Sequence, residues 1–511
     1  MRRSLILPAL LLLAAALPLP PLSAQTPAFV RDSLDTYASR ALADWQIPGL
    51  AVCVVHQGKV SVMKGYGVRE HGQPGPVDAN TLFMIGSNTK AFTGTALAML
   101  AQEGKCSMDD PVVKWLPAFR QQDPWVTQSA TLTDLLCHRM GMKTFQGDFM
   151  YWTSDFTQAE VLEKFGQLTP AYSFRSRWGY CNAAFLAAGM AVQPISGLSW
   201  EQFLRERIFA PLEMNRTLAL SSEISQAANA ARAHTVVDGQ IRLIPYGAID
   251  NLAPAGSISS SVSDMSHWVM AQLDSGRYQG RRVLPWEVLR TTRRPQSIVG
   301  RRGHPFSRTH FGLYALGWEL SDYEGREVIS HTGGVNGFVT SVTLVPEEQL
   351  GIIVLTNTDQ NSVFELLKYE LLDAYLGLPY RNYCGMFAAA SRQEQAEASA
   401  LLQARRDSIA GKPKPVLPLK AFAGRYRHEI YGSAELKAEG SALRLILEHH
   451  PAGGAVLEPL GGSRFLCTFD DPTLGTGLVT AFETEGKQVR AMILKAADFV
   501  EYDPYRFVKA E

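Results

Sequence analysis

Apolar residues recur at Val30, Leu34, Tyr37, Ala38, Ala41, Leu42 and Trp45. That is the i, i+4, i+7, i+8 spacing of one helical face, and Ile47-Pro48-Gly49 closes it. Residues 50–55 and 60–67 then read as strands joined by the turn His56-Gln57-Gly58-Lys59, which predicts a hairpin. Residues 83–100 are apolar all round and predict one buried core helix. Gly104 suits the left-handed position that ends it. Further helices are expected at 131–138, 158–166, 182–195, 199–209 and 262–275. Strands are expected at 328–330, 339–345 and 351–355, with Asn336-Gly337 as a tight turn between the first two. Two early and three late strands predict one antiparallel sheet that joins the chain's start to its end, with helices packed on it.

The texture changes after residue 385. Residues 388–410 are rich in Ala, Gln, Glu and Arg and predict an exposed helix. Lys412-Pro413-Lys414-Pro415-Val416-Leu417-Pro418 reads as a stiff linker. Short alternating runs at 424–426, 443–447, 478–482 and 489–494 have the length of strands in a small barrel or sandwich. The expected organisation is an export signal at 1–24, a main domain at 25–385, a helical and proline-rich linker at 386–418, and an all-β domain at 419–511.

Composition narrows the classes. A 511-residue chain suits two or three domains. Lys plus Arg and Asp plus Glu are both 49, so no basic excess points to nucleic acid or to an anionic membrane. Met1-Arg2-Arg3, the apolar run at 5–17 and Leu22-Ser23-Ala24 form a secretory signal pattern. A secreted or periplasmic protein is expected, with no integral membrane segment after signal cleavage. Cys53, Cys106, Cys137, Cys181, Cys384 and Cys467 are scattered and form no C-x-x-C pair, and they read mostly as buried thiols.

Three short stretches can carry chemistry. In Ser87-Asn88-Thr89-Lys90 a hydroxyl and an amine lie at i and i+3 of the core helix, on one face. Ser61 and Lys64 repeat the spacing on a strand, where i and i+3 point to opposite faces. The second stretch is Tyr180-Cys181-Asn182, which Tyr380-Arg381-Asn382 echoes near the domain boundary. The third is His331-Thr332-Gly333-Gly334 at a strand end. A serine hydroxyl needs a base beside it, and burial lowers a lysine enough to be one. Tyr180 can relay a proton between Ser87 and a leaving group. Asn182 can hold a substrate carbonyl or Lys90, or cap the helix that follows. Gly333 and Gly334 would let substrate approach the strand edge, and the amides of Ser87 and Gly334 are candidates for an oxyanion hole. His138 reads as structural, and His449-His450 is isolated. No H-E-x-x-H, G-x-S-x-G or phosphate-cradling loop is present.

In that order the three motifs resemble those of the serine β-lactamase and penicillin-binding-protein superfamily. The resemblance spans about residues 28–380. It includes Leu132-Thr133-Asp134-Leu135-Leu136-Cys137-His138-Arg139-Met140-Gly141, Pro254-Ala255-Gly256-Ser257-Ile258-Ser259-Ser260 and Gly351-Ile352-Ile353-Val354-Leu355-Thr356-Asn357. It implies an α+β fold with an antiparallel sheet flanked by helices. It also implies an acylated nucleophile at Ser87, an acid/base system of Lys90 and Tyr180, and substrate contacts from Asn182, His331, Thr332 and Gly333. Ser87 and Gly334 would bind the oxyanion, and no cofactor or metal is implied. Tyr180 resembles the class C branch with its esterase and D-aminopeptidase relatives. His331 stands where β-lactamases usually carry Lys, so the resemblance is nearer the His-bearing esterases, amidases and aminopeptidases. Phe422-Ala423-Gly424-Arg425-Tyr426 after the linker resembles the lipocalin-like barrel appended to some of these hydrolases. The expected activity is cleavage of a small ester, amide or short peptide through an acyl-enzyme. The alternatives are a D-aminopeptidase or weak β-lactamase, and a penicillin-binding sensor that acylates without turnover. A homo-oligomer formed through the C-terminal domain is a further expectation.

Overall fold

The computed structural model describes residues 26–510, so the expected export signal at 1–24 lies outside the described residues. An eight-stranded antiparallel sheet forms the centre of the first part. In spatial order its strands are Lys59–Gly67, Gly49–His56, Leu350–Thr356, Phe338–Val345, Arg326–Val335, Glu319–Tyr323, Phe311–Tyr314 and Ser297–Arg301. The hairpin of the first two strands pairs with the last strand, Leu50 opposite Thr356, so chain start and chain end meet as expected.

Alternation along the central strands divides their side chains between two layers. Leu50, Val52, Val54, Ile352 and Val354 pack with Leu34, Ala38, Leu367 and Leu371 of the helices Leu34–Asp44 and Val363–Tyr375. Ala51, Cys53, Val55, Ile353 and Leu355 belong to the larger core on the other side, with Phe92 and Trp268. There the rings of Phe92 and Trp268 stack at 4.1 Å. Strands covered on both faces are apolar throughout, which is why they read so plainly in the sequence.

Two expectations are corrected. The stretch 83–100 is not one helix. Phe83–Met84 is a short strand paired with Ser259–Ser260, Gly86–Asn88 is a 3-10 turn, and the helix proper is Thr89–Gln102. Gly86 has φ 53°, a left-handed conformation that suits glycine and breaks the element there. The five-strand sheet has three more strands, Ser297–Arg301, Phe311–Tyr314 and Glu319–Tyr323. These form its outer edge and carry charge, glycine and exposed residues such as Ile298 and Phe311.

Both decoy motifs are structural. Ser61 hydrogen-bonds Tyr375 while Lys64 pairs with Asp35. Asn382 accepts from the Gly385 amide and caps the long helix Tyr383–Ala410. That helix leads to a closed barrel of eight antiparallel strands, from Gly424–His428 to Tyr505–Lys509, which pair with each other. Leu443, Leu445, Phe465, Phe482 and Phe507 are buried in its core. Pro415 of the linker bridges to Gly462, so the linker leans on the barrel. All six cysteines are free thiols. Among the described residues no single helix is long and apolar enough to cross a membrane.

The barrel docks on the segment 148–156. Phe149 stacks on His450 at 5.0 Å and meets Tyr505 edge-on at 5.1 Å. Phe156 stacks on His449 at 3.9 Å. The Asp155 amide donates to the His449 carbonyl at 3.0 Å, and Asn336 bridges Trp152 to Thr473. His449 and His450 therefore join the two parts of the chain.

Candidate active site

Ser87 is the one residue between 81 and 100 that is not buried. The turn that lifts it is held from behind. Thr340 Oγ1 donates to the Ile85 carbonyl at 2.9 Å and accepts from Asn88 Nδ2 at 2.9 Å. A Cβ on Gly86 would stand 2.8 Å from the Gly334 nitrogen, and one on Gly333 would stand 1.9 Å from the Ile85 carbonyl oxygen. Only a pair of glycines lets the serine turn sit this close to the third motif.

Lys90 is fully buried one turn later. Its Nζ lies 3.1 Å from Ser87 Oγ, 2.7 Å from Asn182 Oδ1 and 2.7 Å from the Ala255 carbonyl oxygen. Burial pushes its pKa down to about 7, against the pull of Asp148 and Cys181. An uncharged amine has two hydrogens and one lone pair. Asn182 and Ala255 offer only acceptors, so they take the hydrogens and the lone pair is left for the Ser87 hydroxyl.

Tyr180 and Asn182 are placed by the segment around His138, where the helix Leu132–Leu136 ends in a left-handed residue with φ 58° at His138. The Cys181 amide donates to His138 Nδ1 at 3.0 Å, and the Gly179 amide donates to its carbonyl at 2.9 Å. The Tyr180 phenol and Ser87 line the same cavity, and burial holds the phenol's pKa well above its usual range. It therefore keeps its proton. Asn182 uses Nδ2 to donate to Asp148 at 2.6 Å, which leaves one N–H free.

The third motif lies on Arg326–Val335, whose pairing with Glu319–Tyr323 stops at Ser330. From His331 onward that side of the strand is unpaired. His331 is buried, and its Nδ1 is 2.6 Å from the Thr332 carbonyl while Nε2 is 2.8 Å from the Tyr314 hydroxyl. A carbonyl only accepts, so Nδ1 carries the hydrogen and Nε2 accepts from Tyr314. Burial pushes the ring down to about 4, so it is neutral at pH 7.

A cavity of about 400 Å³ joins Ser87, Tyr180, Asn182, His331, Thr332 and Gly334. Gly333 lies behind them against Ile85, outside the lining. A larger groove of about 680 Å³, lined by Arg139, Arg290 and Arg294, holds none of the three motifs.

Sequence reasoning missed much of this cavity. Its aromatic walls are Phe145, Trp152 and Trp178 from the first part of the chain and Phe499 and Tyr502 from the barrel. Its acidic members are Asp148, Glu319 and Asp498, and no Lys or Arg lines it. Glu319 is paired with Arg302 and Asp498 with Lys495. Behind Asp148 lies Glu501 of the barrel, which accepts from the Gly147 and Phe149 amides at 2.8 and 2.9 Å.

A family model described as Beta-lactamase matches residues 34–376, about two thirds of the chain. The chain belongs to the Beta-lactamase family. A second model, a domain of unknown function (DUF3471), matches residues 410–509. An unguisins hydrolase of Aspergillus violaceofuscus is 27% identical over 84% of this chain and 81% of its own. Protein flp of Staphylococcus aureus is 24% identical over 66% of this chain and 65% of its own. Among solved structures, an octameric penicillin-binding protein homologue from Pyrococcus abyssi aligns with TM-score 0.58 at 20% identity. It covers 93% of this chain and 99% of its own. A D-stereospecific amidohydrolase from Streptomyces aligns with TM-score 0.54 at 20% identity, over 66% and 96%. At such identities these two structures speak for the fold.

Within this family the serine, lysine and tyrosine positions of the chain form a connected group in space. The acceptors at Asn182 and Ala255 hold the Lys90 Nζ beside Ser87 Oγ and next to a protonated phenol.

Proposed function

We propose that the protein is an exported serine hydrolase that cleaves a small ester or amide through an acyl-enzyme at Ser87. One observation carries this reading: the desolvated Lys90 Nζ stands 3.1 Å from Ser87 Oγ, with Asn182 Oδ1 and the Ala255 carbonyl as acceptors for two of its hydrogens. Ser87 Oγ attacks the acyl carbon and its proton passes to Lys90. The tetrahedral oxyanion is held by the Ser87 and Gly334 amides, each such donor being worth about 3 kcal/mol. The C–O or C–N bond breaks, and the leaving group takes a proton from the Lys90–Tyr180 pair. Water then attacks the acyl-enzyme, the acid departs, and the Ser87 hydroxyl is restored. Asn182 holds Lys90 in place and has one N–H left for the substrate, while Thr332 flanks the acyl group.

An amide is favoured by the name of one match, a D-stereospecific amidohydrolase, while the name of the unguisins hydrolase points to hydrolysis alone. Penicillins are disfavoured, because their carboxylate would meet a neutral His331 and a cavity lined by no cation. Export rests on the signal pattern at 1–24. A homo-oligomer belongs to the same proposal, since one homologue is described as octameric, and light scattering tests it.

The deciding experiment combines labelling of Ser87 by a fluorophosphonate with a panel of p-nitrophenyl esters, L- and D-aminoacyl p-nitroanilides and nitrocefin. Labelling at Ser87 and turnover abolished by Ser87→Ala support the reading. Turnover undiminished in Ser87→Ala would sink it. A stoichiometric burst without turnover would make the protein an acylated sensor instead.

A further inference from the structure

Glu501 is a buried carboxylate with no role in the hydrolytic scheme. It leaves the barrel, crosses to the hydrolase part and accepts from the Gly147 and Phe149 amides, which flank Asp148. Its Oε2 also accepts from the Tyr505 hydroxyl at 2.8 Å. Asp148 is itself buried and continues the line inward, accepting from Asn182 Nδ2 at 2.6 Å, and Asn182 Oδ1 accepts from Lys90 at 2.7 Å. A continuous path therefore runs from the barrel to the base beside Ser87.

We infer that Glu501 is a positioning residue for the acid/base pair: it fixes the segment that carries Asp148 and, through Asp148 and Asn182, sets the charge state of Lys90. This rests on the acyl-enzyme reading of Ser87 and Lys90.

Charge makes the connection physical. Two carboxylates in one desolvated place resist ionising together. Burial and the neighbouring Glu501 push the Asp148 carboxyl up to about 8. Burial pushes Glu501 up to about 7, against its two backbone donors and Tyr505. The more its ionisation is suppressed, the less Asp148 stabilises an ammonium at Lys90. The other groups that bear on Glu501 are Tyr151 and Lys143 from the hydrolase part and Asp503 and Tyr505 from the barrel. Lys143 and Asp503 are exposed and paired with each other, so their effect is screened. The barrel is thereby part of the machinery that tunes the base.

The test is the rate of Ser87 phosphonylation by a fluorophosphonate, measured on the full chain from about pH 5 to about pH 10. In this step the Ser87 Oγ–H proton passes to Lys90, the Oγ–P bond forms and the P–F bond breaks with fluoride leaving, so the readout needs no knowledge of the natural substrate. In Glu501→Gln, Asp148 loses its like-charged neighbour and ionises at lower pH. Lys90 then holds its proton longer, and the acid limb of the profile moves up by ~0.5 pH unit or more. Tyr505→Phe removes one donor to Glu501, so Glu501 stays protonated at higher pH. The same limb moves in the same direction by a smaller amount, in a variant that keeps the ring packed against Phe149. A uniform drop in rate with an unmoved limb in folded Glu501→Gln and Tyr505→Phe would overturn the inference. If Glu501→Gln does not fold, the Tyr505→Phe limb decides alone. Failure of the wild-type protein to label at any pH would overturn the acyl-enzyme reading itself.

Discussion

Phe499 lies over Gly334: a Cβ on that glycine would stand 3.2 Å from the phenylalanine ring. The ring comes from the barrel and the glycine from the strand whose amide is the proposed oxyanion donor, so the two parts of the chain form one wall of the cavity. Glycine at 334 keeps a backbone amide open, yet Phe499 limits what can be laid along that edge. Phe499→Ala is expected to raise kcat/KM for bulky acyl esters relative to acetate by ~10-fold, the scale of a few methylenes of pocket space. A chain-length series of p-nitrophenyl esters measures the ratio, and an unchanged ratio would remove Phe499 from the specificity wall.

Gly333 has the opposite problem. It faces the Ile85 carbonyl oxygen, which would stand 1.9 Å from an added Cβ, with Thr340 Oγ1 at 2.6 Å beside it. Gly333→Ala must push the serine turn away from the sheet. The expected cost is about 1–3 kcal/mol of overpacking, with loss of Ser87 labelling out of proportion to the fall in stability. Chemical denaturation read beside labelling rate tests both, and a stable, fully labelled variant would contradict the packing described here.

Ser87, Lys90 and Tyr180 were legible in the sequence as one candidate group because each sits in a short motif inside a strongly patterned element. Ser87 and Lys90 are one helical turn apart among apolar residues, and the strand that ends at Val335 is followed by Asn336-Gly337. The walls of the site were not legible. Phe499 and Glu501 lie in a loop of the barrel, some four hundred residues from Ser87, and no spacing rule links them to it. Asp148 sits on the four-residue helix Asp148–Tyr151, too short for a periodic signal. The outer strands escaped for a different reason. Ser297–Arg301 contains Gly300 and ends in a charge, so its alternation is blurred where the sheet meets solvent.

Lys90 serves as a base only if it can give up its charge, so the two conservative replacements should behave unlike ordinary conservative changes. Lys90→Arg keeps a cation that does not deprotonate, and it places a larger group between Asn182 and Ala255. Lys90→Met keeps the length and removes the amine. Both are expected to lower kcat/KM by ~10³-fold, within the range of a lost general base, while Ser87→Ala abolishes labelling outright. Substantial activity in Lys90→Arg would mean that another group takes the serine proton.

The pH dependence follows from the same buried amine. The competent form of Lys90 is uncharged, and burial brings its pKa from 10.5 down to about 7. The acylation rate should therefore rise tenfold per pH unit below about 7 and level off above it. Tyr180 is held well above the usual phenol range, so no loss of its proton should cut the plateau at moderately alkaline pH. Stability carries the matching sign. Between about 7 and the ordinary lysine value the unfolded chain keeps the proton that the folded chain has released, so this group makes stability rise with pH across that window. Lys90→Met lacks the titration, and the stability of the wild-type protein relative to it should increase from about pH 7 to about pH 10. Denaturant unfolding of the two proteins across that range measures the difference. A flat difference, together with an acid limb far from 7, would mean that Lys90 is charged in the resting protein and that Ser87 is activated in another way.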